Sequence, residues 1–381
     1  MRSRLLPLVC TIVFVDAMLF AAIIPLVPEL KADLALSKLQ AGILVGAYGA
    51  GAVIAGIPSG FLAERIGPKR TVIVGMLALT GATVGFALVD SALALGVGRF
   101  AQGVASAVTW SGALAWLTLS TPRERRGQTL GTAFGTAVLG FIVGPAVGAL
   151  AEQTSVRGVF LAVAVVTAAV AALAARQPPG RIDRRRGTTL RRAVRNRRFL
   201  AAVWLTLIPA IFFGALDLLV PLRLDDAGWS SVAIAAVFIA AGLVEVTLAP
   251  LAGRVSDRRG RLAPARLGLW GLVAIALGLA AVDGAFALVA LLLCGAVVVS
   301  GISTPGMAMV SDEAEASGLS QALGFGTMNS AWALGAMLGP VGAGALANAF
   351  GDAIPYLLCA ALATGTALLL TPALRNAERP A

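Results

Sequence analysis

Four ionisable side chains interrupt long apolar stretches of this sequence: Asp16, Arg99, Asp217 and Glu245. A carboxylate can take up and release a proton or hold a cation, whereas an arginine keeps its charge across the physiological pH range. The chain contains no histidine, so neither an imidazole proton relay nor a His-ligated metal site is available to it. The three acids are therefore the candidate sites for reversible binding of protons or cations.

The composition places these charges in a polytopic membrane protein. Hydrophobic residues make up 58% of the chain, charged residues 13%, and the mean hydropathy is +0.89, values that a water-soluble domain does not reach. The apolar stretches are long, rich in Ala, Leu and Gly, and do not alternate, which favours α-helices over a β-barrel. The fold class is thus all-α with twelve transmembrane helices, approximately 5–28, 39–62, 71–89, 92–119, 129–151, 157–175, 199–222, 230–252, 264–282, 285–308, 321–347 and 353–371.

The position of each acid along its stretch predicts its depth in the membrane. At 1.5 Å per residue Asp16 lies roughly 16 Å from Leu5, close to the middle of a bilayer core. By the same rise Asp217 lies roughly 27 Å from Phe199, near the outer mouth, and Glu245 falls in the inner half of its helix. The alternative roles are a hydrogen bond that joins helices for Asp16, a solvated rim position for Asp217 and an ion pair for Glu245.

The basic residues predict the orientation of the chain. Of the 30 Lys and Arg residues, 25 fall in alternate loops and at the two ends, four fall in the other loops, and Arg99 lies within a helix. Such asymmetry indicates that both termini and the long loop 176–198 are cytoplasmic, in the inner (plasma) membrane of a cell. The net charge of +11 thus indicates contact with anionic lipid headgroups rather than with nucleic acid. We expect a monomer.

An internal duplication divides the chain into two halves. "GFLAERIGPKR" at 60–70 and "GRVSDRRGR" at 253–261 share the same glycine and acid spacing, 193 residues apart, and "GQTLG" at 127–131 recurs at the same offset as "SQALG" at 320–324. A parallel repeat of six-helix halves is a transporter architecture. The predicted domains are an N-terminal bundle 1–175, a basic cytoplasmic linker 176–198 and a C-terminal bundle 199–381.

The repeated loop predicts a reversible latch on the cytoplasmic side. Glycine permits a tight turn between two helices, and an acid beside it can meet the positive end of a neighbouring helix. The alternative is a loop whose basic residues only set the topology. The latch residues are Gly60, Glu64, Arg65, Gly67, Arg70, Asp257 and Arg258.

These motifs resemble those of the major facilitator superfamily. "GFLAERIGPKR" is similar to the signature between its helices 2 and 3, with Glu64 where the family usually has aspartate. "RFAQGVASA", from Arg99 through Gln102, resembles its helix 4 motif, and "GFIVGPAVGAL" at 140–150 resembles its helix 5 antiporter motif. The resemblance implies twelve helices in two pseudo-symmetric bundles that transport small molecules by alternating access.

The helix 5 motif also has a direct physical reading. Gly140, Gly144 and Gly148 recur every four residues on one helix face, where they let a partner backbone approach closely. Pro145 removes one backbone donor and predicts a bend. Simple tight packing is the alternative, because the antiporter function is implied by the resemblance alone.

The first and seventh stretches also resemble those of vesicular amine and related multidrug exporters, which carry acids at the places of Asp16 and Asp217. Where those amine carriers have an acid in helix 11, this chain has Asn329, which we group with Arg99 and Gln102 as an intramembrane polar network. Aromatic residues near mid-helix are candidates for lining an apolar cavity, with a lipid-facing position as the alternative. They are Tyr48, Trp110, Trp204 and Trp332.

The favoured function is proton-coupled export of amphipathic, cationic small molecules. A carrier for a sugar, nucleoside or other metabolite is the alternative within transport, and a polytopic membrane enzyme or receptor is a more distant one. The sequence contains no Ser-His pair and no GxxxxGK[ST] nucleotide loop, so we expect no enzyme, no cofactor and no metal. The expected partners are a small-molecule substrate, protons and membrane lipid.

The topology can be tested with introduced cysteines. A cysteine at Thr188, in the linker, should react with a membrane-impermeant thiol reagent only after the cells are permeabilised, because the arginine-rich loop is predicted to be cytoplasmic. A control cysteine at Ser91, in a predicted outer loop, should react in intact cells. Labelling of Thr188→Cys in intact cells would contradict the orientation.

Overall fold

The computed structural model describes residues 5–122, 125–178, 195–259, 262–319 and 321–375, and all regular structure in these ranges is helical. The helices of the first half, which we call the N-half, are α1 (Leu5–Ala21), a 3₁₀ turn (Ile24–Leu26), α2 (Val27–Asp33), α3 (Lys38–Ile66), α4 (Pro68–Ala87), α5 (Ala92–Ser120), α6 (Arg126–Gln153) and α7 (Val156–Ala175). Those of the C-half are α8 (Arg197–Asp226), α9 (Ser231–Arg259), α10 (Leu262–Ala281), α11 (Ala285–Ala316), α12 (Gln321–Phe350) and α13 (Ala353–Arg375).

The helices match the twelve expected membrane crossings. Within the described residues, 10 helical segments are long and apolar enough to span a bilayer, and the first of them, Leu5–Asp33, combines α1, the 3₁₀ turn and α2. The other two crossings are α5, which carries Arg99, and α13, whose described apolar part is Ala353–Leu369. The all-α membrane fold predicted from the sequence is therefore confirmed. The division at 176–198 stays a prediction, since most of that segment lies outside the described residues.

Proline interrupts the first crossing. Pro25 lies in the 3₁₀ turn and Pro28 in the first turn of α2, and α1 ends at Ala21. A proline has no backbone N–H and its ring displaces the carbonyl four residues earlier, so two prolines three residues apart favour a break in the helix. The break leaves the buried backbone carbonyls of Leu19 and Phe20 without donors from the helix.

The turn between α3 and α4 depends on glycine. Gly67 has a φ of 88°, in the region that side chains disfavour, and Pro68 follows as the first residue of α4. At its other end α3 begins with a capping box, in which Ser37 and Gln40 each bond the other's backbone. The tight turn expected beside Glu64 is thus present.

Glycines bring α3 and α12 into direct backbone contact across the two halves. A methyl group at Gly42 would overlap the Pro340 carbonyl, and one at Gly49 would lie 2.6 Å from the Met337 nitrogen. The two helices run antiparallel, and their contact continues as far as Gly56, which faces Gly326 and Ser330. This α3–α12 seam joins the halves over much of the bundle's length.

The glycines of the helix 5 motif pack against α1. Methyl groups at Gly140, Gly144 and Gly148 would collide with the carbonyls of Phe14, Met18 and Ala22, which are themselves four residues apart. Small residues at this spacing let two membrane helices approach closely without a hydrophobic driving force between them. The motif therefore packs α6 against the face of α1 that carries Phe14, Met18 and Ala22, and Pro145 lies inside α6.

The packing of α3 on α5 gives a direct test of these close approaches. Gly103 in α5 contacts the carbonyl of Tyr48, so Gly103→Ala should force the helices apart and destabilise the protein by roughly 1–3 kcal/mol. Gly96, on the same helix, has no atom within 4 Å of an added methyl group among the described residues. Thermal unfolding in detergent should show a lower midpoint for Gly103→Ala and an unchanged or higher midpoint for Gly96→Ala. Equal midpoints would contradict this packing.

Candidate functional site

Asp16 lies at the centre of the N-half, with 2% of its surface exposed. Its Oδ2 accepts hydrogen bonds from the Tyr48 hydroxyl at 3.2 Å, the Ser106 hydroxyl at 2.7 Å and the Trp110 indole N–H at 2.6 Å. Three neutral donors thus converge on one carboxylate oxygen. Two come from α5 and one from α3, so the acid joins three helices.

The other carboxylate oxygen, Oδ1, is buried and has no hydrogen-bond partner among the described residues. Among the described residues, no lysine or arginine lies within ion-pair distance of Asp16. A buried carboxylate without a counterion is costly, whereas a proton or a cation on Oδ1 removes that cost. The geometry therefore leaves one oxygen of Asp16 free to bind a positive charge.

Arg99 lies closer than Asp16 to the break at the end of α1, and it is also fully buried. Its guanidinium donates to the carbonyl of Leu19 at 3.2 Å and to that of Phe20 at 3.1 Å, the groups that the end of α1 leaves without helical donors. A cation at a helix C-terminus is favourable because the helix dipole is negative there. Arg99 therefore holds the broken crossing in place.

Gln102 and Tyr48 complete the surroundings of this guanidinium. The Gln102 side-chain oxygen accepts from Arg99 at 3.1 Å, and its amide donates to Thr83 at 3.3 Å. The guanidinium carbon lies 4.8 Å from the centre of the Tyr48 ring, within cation–π range. Tyr48 thus contacts Asp16 with its hydroxyl and Arg99 with its ring.

One face of α5 supplies most of this site, and the sequence analysis identified it only in part. Arg99, Gln102, Ser106 and Trp110 are separated by three, four and four residues, which places them on one side of a helix. Ser106 was not predicted. Its polar side chain at helical spacing from Arg99 and Gln102, in an otherwise apolar stretch, is the signal that identifies it.

An aromatic cluster lies beside Asp16 where the halves meet. Phe20, one turn along α1 from Asp16, has its ring centroid 5.1 Å from Tyr48, 5.1 Å from Trp332 and 5.4 Å from Phe141. Trp332 belongs to the C-half and the other three rings to the N-half. The cluster therefore places an apolar, π-rich surface one helical turn from Asp16.

The other two aromatic residues predicted to line a cavity, Trp110 and Trp204, lie in different places. Trp110 stacks near Phe134 of α6, with ring centroids 6.0 Å apart, and both rings are partly exposed. Trp204 instead donates to Thr366 of α13 at 3.0 Å and is 38% exposed. Trp204 thus lies outside the central aromatic cluster.

Asp217 lies apart from Asp16, in the C-half. It is 2% exposed, and its Oδ1 has no hydrogen-bond partner among the described residues. The next residue, Leu218, packs against Gly42 and Gly344, near the start of α3. The acid therefore lies in the part of the bundle near Lys38.

Glu245 lies at the seam between α6 and α9. It is partly exposed and makes no ion pair within the described residues. Three residues earlier, Gly242 faces the Ile142 side chain of α6. Glu245 therefore belongs to a second contact between the halves, away from Asp16.

Asn329 does not join Arg99 and Gln102 in one hydrogen-bonded network. It lies on α12 in the C-half, and its amide Nδ2 is buried without a partner among the described residues. The predicted polar network is thus divided, with Arg99 and Gln102 in contact and Asn329 in the opposite half.

The predicted latch residues lie at the end of the bundle that carries Glu64, which we call the Glu64 end. Arg65 and Arg70 are exposed there, Glu64 is partly exposed, and none of them forms an ion pair with another described residue. Gly60 is buried in α3 and Gly67 makes the turn. Asp257 and Arg258 fall in the last turns of α9, but their side chains lie outside the described residues.

The opposite end, which we call the Lys38 end, is closed by polar contacts across both seams. Lys38 of α3 and Asp352, between α12 and α13, form an ion pair at 2.6 Å. At the α6–α9 seam the Ser231 hydroxyl donates to the Glu152 carboxylate. Together with the α3–α12 glycine contacts near Gly42, these links join the two halves at the Lys38 end.

This fold and site define a class of protein: a membrane transporter whose two six-helix halves meet at a central charged and aromatic site. The chain belongs to the Major Facilitator Superfamily, whose sequence profile matches residues 9–328. The motifs at 60–70, 99–107 and 140–150 all lie within that match.

Known relatives and a solved structure agree with this assignment. The chain is 26% identical over 333 residues to the MFS-type transporter ppzB of Metarhizium rileyi, covering 70% of this chain and 69% of that protein. It is 33% identical over 178 residues to the class E tetracycline resistance protein of Escherichia coli, covering 43% and 41% of the two chains.

The fold is also that of a bacterial homologue of the human lysosomal transporter Spinster, solved in an inward-facing and occupied conformation. The TM-score is 0.80 at 16% identity, over 98% of this chain and 97% of the other. The family indicates a membrane transporter. Among the described residues, no three His, Cys, Asp or Glu side chains are grouped as metal ligands.

The closure at the Lys38 end predicts a measurable change in accessibility. In a variant whose native cysteines are replaced by alanine, a cysteine at the buried position Ala347 should react slowly with an impermeant thiol reagent. Lys38→Ala or Asp352→Ala should raise that rate about two- to fivefold, since partly exposed ion pairs contribute roughly 0.2–1 kcal/mol. The swap Lys38→Asp with Asp352→Lys should restore the slow rate.

The matched control is Arg157→Ala. Arg157 is exposed at the start of α7 and forms no ion pair with another described residue, so its removal should leave the labelling rate unchanged. Single variants that label no faster than the parent, or a swap that labels as fast as the singles, would show that the ion pair does not hold this end closed.

Proposed function

We propose that this protein is a proton-coupled exporter of amphipathic, cationic small molecules in the plasma membrane, with both termini in the cytoplasm. The observation that carries the proposal is the Asp16 carboxylate, which is buried, receives three neutral hydrogen bonds on Oδ2 and has no partner on Oδ1. A proton and a cationic substrate are alternative occupants of that oxygen.

Competition for one carboxylate is sufficient to couple the two movements. A substrate that arrives from the cytoplasm displaces the proton from Asp16, and the proton then leaves toward the cytoplasm. On the outer side a proton displaces the substrate. Because a bare carboxylate in the membrane interior is costly, the protein changes conformation when Asp16 is occupied rather than when it is empty. The result is exchange of substrate for protons.

The surroundings of Asp16 favour a cation with an apolar body. Phe20, Tyr48, Phe141 and Trp332 present ring faces and edges next to the acid. Aromatic faces attract organic cations and bury their apolar groups at the same time. Relatives named for drug resistance, such as the class E tetracycline resistance protein of Escherichia coli and multidrug resistance protein 1 of Bacillus subtilis, support export rather than uptake.

Alternating access follows from the contacts between the halves. The Lys38 end is sealed by the α3–α12 seam, the Lys38–Asp352 ion pair and the Ser231–Glu152 hydrogen bond. In the alternate conformation these contacts open, and the loop carrying Glu64 together with the α9 segment carrying Asp257 closes the Glu64 end.

Asp217 and Glu245 have secondary roles in this proposal. Asp217 is buried near the Lys38 end, where it receives protons arriving from outside or assists substrate release. Glu245, at the α6–α9 seam, senses the relative movement of the halves. Among the described residues, neither acid has the three converging donors that distinguish Asp16.

Replacing Asp16 by asparagine tests the coupling. In proteoliposomes with an imposed pH difference, Asp16→Asn should fold and insert yet lose more than about tenfold of the proton-driven accumulation of tetraphenylphosphonium, since removing one member of a buried charge contact costs roughly 2–5 kcal/mol. Asp217→Asn should reduce accumulation or change its pH dependence without abolishing it. The matched control, Asp90→Asn, changes an exposed acid in the same way and should transport normally.

Full proton-driven accumulation by Asp16→Asn would overturn the assignment. Asp16 would then be a structural residue that joins α1, α3 and α5. Asp217 and Glu245 would be the next residues to test in the same assay.

A further inference from the structure

Two buried polar atoms without partners lie in opposite halves of the protein. Asp16 Oδ1 is an acceptor in the N-half, and Asn329 Nδ2 is a donor in the C-half; neither has a hydrogen-bond partner among the described residues. A buried polar group left unpaired costs roughly 1–3 kcal/mol. A ligand that supplies the missing partner removes this cost.

The direction of the Asn329 side chain follows from its neighbours on α12. Ala333, four residues after Asn329 and on the same helix face, packs with Ala52 of α3, and Ser330 next to Asn329 meets Gly56 of α3. Trp332 lies three residues after Asn329, on the same helix face, and its ring contacts Phe20 of the N-half. Asn329 therefore points into the space between the halves.

Asn329 and Asp16 also lie at similar depth. Ser330, next to Asn329, packs at the level of Gly56 on α3. Three residues further, roughly 4.5 Å along the helix axis, Ser59 shares a hydrogen bond of 2.6 Å with Ser111 of α5. Trp110, next to Ser111, donates to Asp16. A single small molecule can therefore contact both polar groups.

The surface beside the two groups is aromatic. Trp332 and Phe20 belong to opposite halves, and Phe141 lies 6.1 Å from Trp332 between ring centroids. These rings provide contact area for the apolar body of a ligand. They offer it no hydrogen-bonding atom except the indole N–H of Trp332.

We propose that Asp16 and Asn329 form a two-point recognition site, which selects amphipathic cations that also carry a hydrogen-bond acceptor. The cationic end binds Asp16 Oδ1, the acceptor, such as a carbonyl or ether oxygen, binds Asn329 Nδ2, and the apolar part lies against Phe20 and Trp332. The inference rests on the proposed export function and adds the second contact point that decides between cationic substrates.

A two-point site also distinguishes the substrate from the proton. A proton occupies Asp16 alone, in the N-half, whereas a substrate held by Asp16 and Asn329 links the two halves. Differential contacts of this kind are required if the two occupants are to favour different conformations. Asn329 is therefore a specificity-determining residue on the C-half.

Two matched probes test the assignment. Benzoylcholine and 4-phenylbutyltrimethylammonium have the same quaternary ammonium, phenyl ring and chain length, but the first has an ester acceptor where the second has methylenes. By titration calorimetry on purified protein, Asn329→Leu should weaken benzoylcholine binding about tenfold, the loss expected for one hydrogen bond of about 1.4 kcal/mol. Its affinity for 4-phenylbutyltrimethylammonium should stay within about twofold of the parent value.

The matched control is Asn348→Leu, an exposed position on the same helix, which should change neither affinity. The unaffected probe shows in the same protein that the site is intact. Equal losses for both probes in Asn329→Leu, or no loss for either, would overturn the role of Asn329 while leaving cation export in place. If the parent protein binds neither probe, the two-point site and the proposed cation specificity both fail.

Discussion

The Asp16 carboxylate imposes the constraint on which the rest of the site depends. An ionised acid in the membrane interior must be paired, hydrogen-bonded or neutralised. Here three neutral donors from α3 and α5 converge on one oxygen, and the other oxygen has no partner among the described residues. The acid is held in position without being permanently neutralised, which is the condition for reversible binding of a positive charge.

The neighbouring structure keeps this arrangement rigid. The glycine face of α6 fixes α1 from one side, and Gly103 brings α5 against the backbone of Tyr48 from another. Arg99 binds the carbonyls at the end of α1, so its charge is used by the helix terminus and does not reach Asp16 as a direct ion pair. The fold therefore separates the buried charges of Asp16 and Arg99, and Tyr48 contacts both of them.

Much of this architecture could be predicted from the sequence because membrane helices follow few rules. Long apolar stretches predicted the helices, the four-residue glycine spacing predicted a close helix contact on α6, and the glycine-containing loop predicted the turn beside Glu64. Asp16 and Arg99 were identified because an ionisable side chain inside the membrane is energetically costly and usually has a function. These predictions depend on the local spacing of residues and on their hydropathy, both of which can be read from a single sequence.

Contacts between distant parts of the chain could not be predicted in this way. Lys38 and Asp352 are 314 residues apart, and nothing in their local sequence indicates the ion pair that closes the Lys38 end. The contrast between Trp332 in the central cluster and Trp204 against α13 depends on helix rotation, which uniformly apolar helices do not reveal. The unequal surroundings of the two Asp16 oxygens likewise arise only when three helices are brought together.

The most direct test of the central claim is the release of protons from purified protein on substrate binding. In weakly buffered detergent solution with a pH indicator, a cationic substrate such as tetraphenylphosphonium should release protons from the parent protein and none from Asp16→Asn, because the two occupants compete for one carboxylate. Substrate that binds the parent without releasing protons, or equal release from Asp16→Asn, would contradict the account.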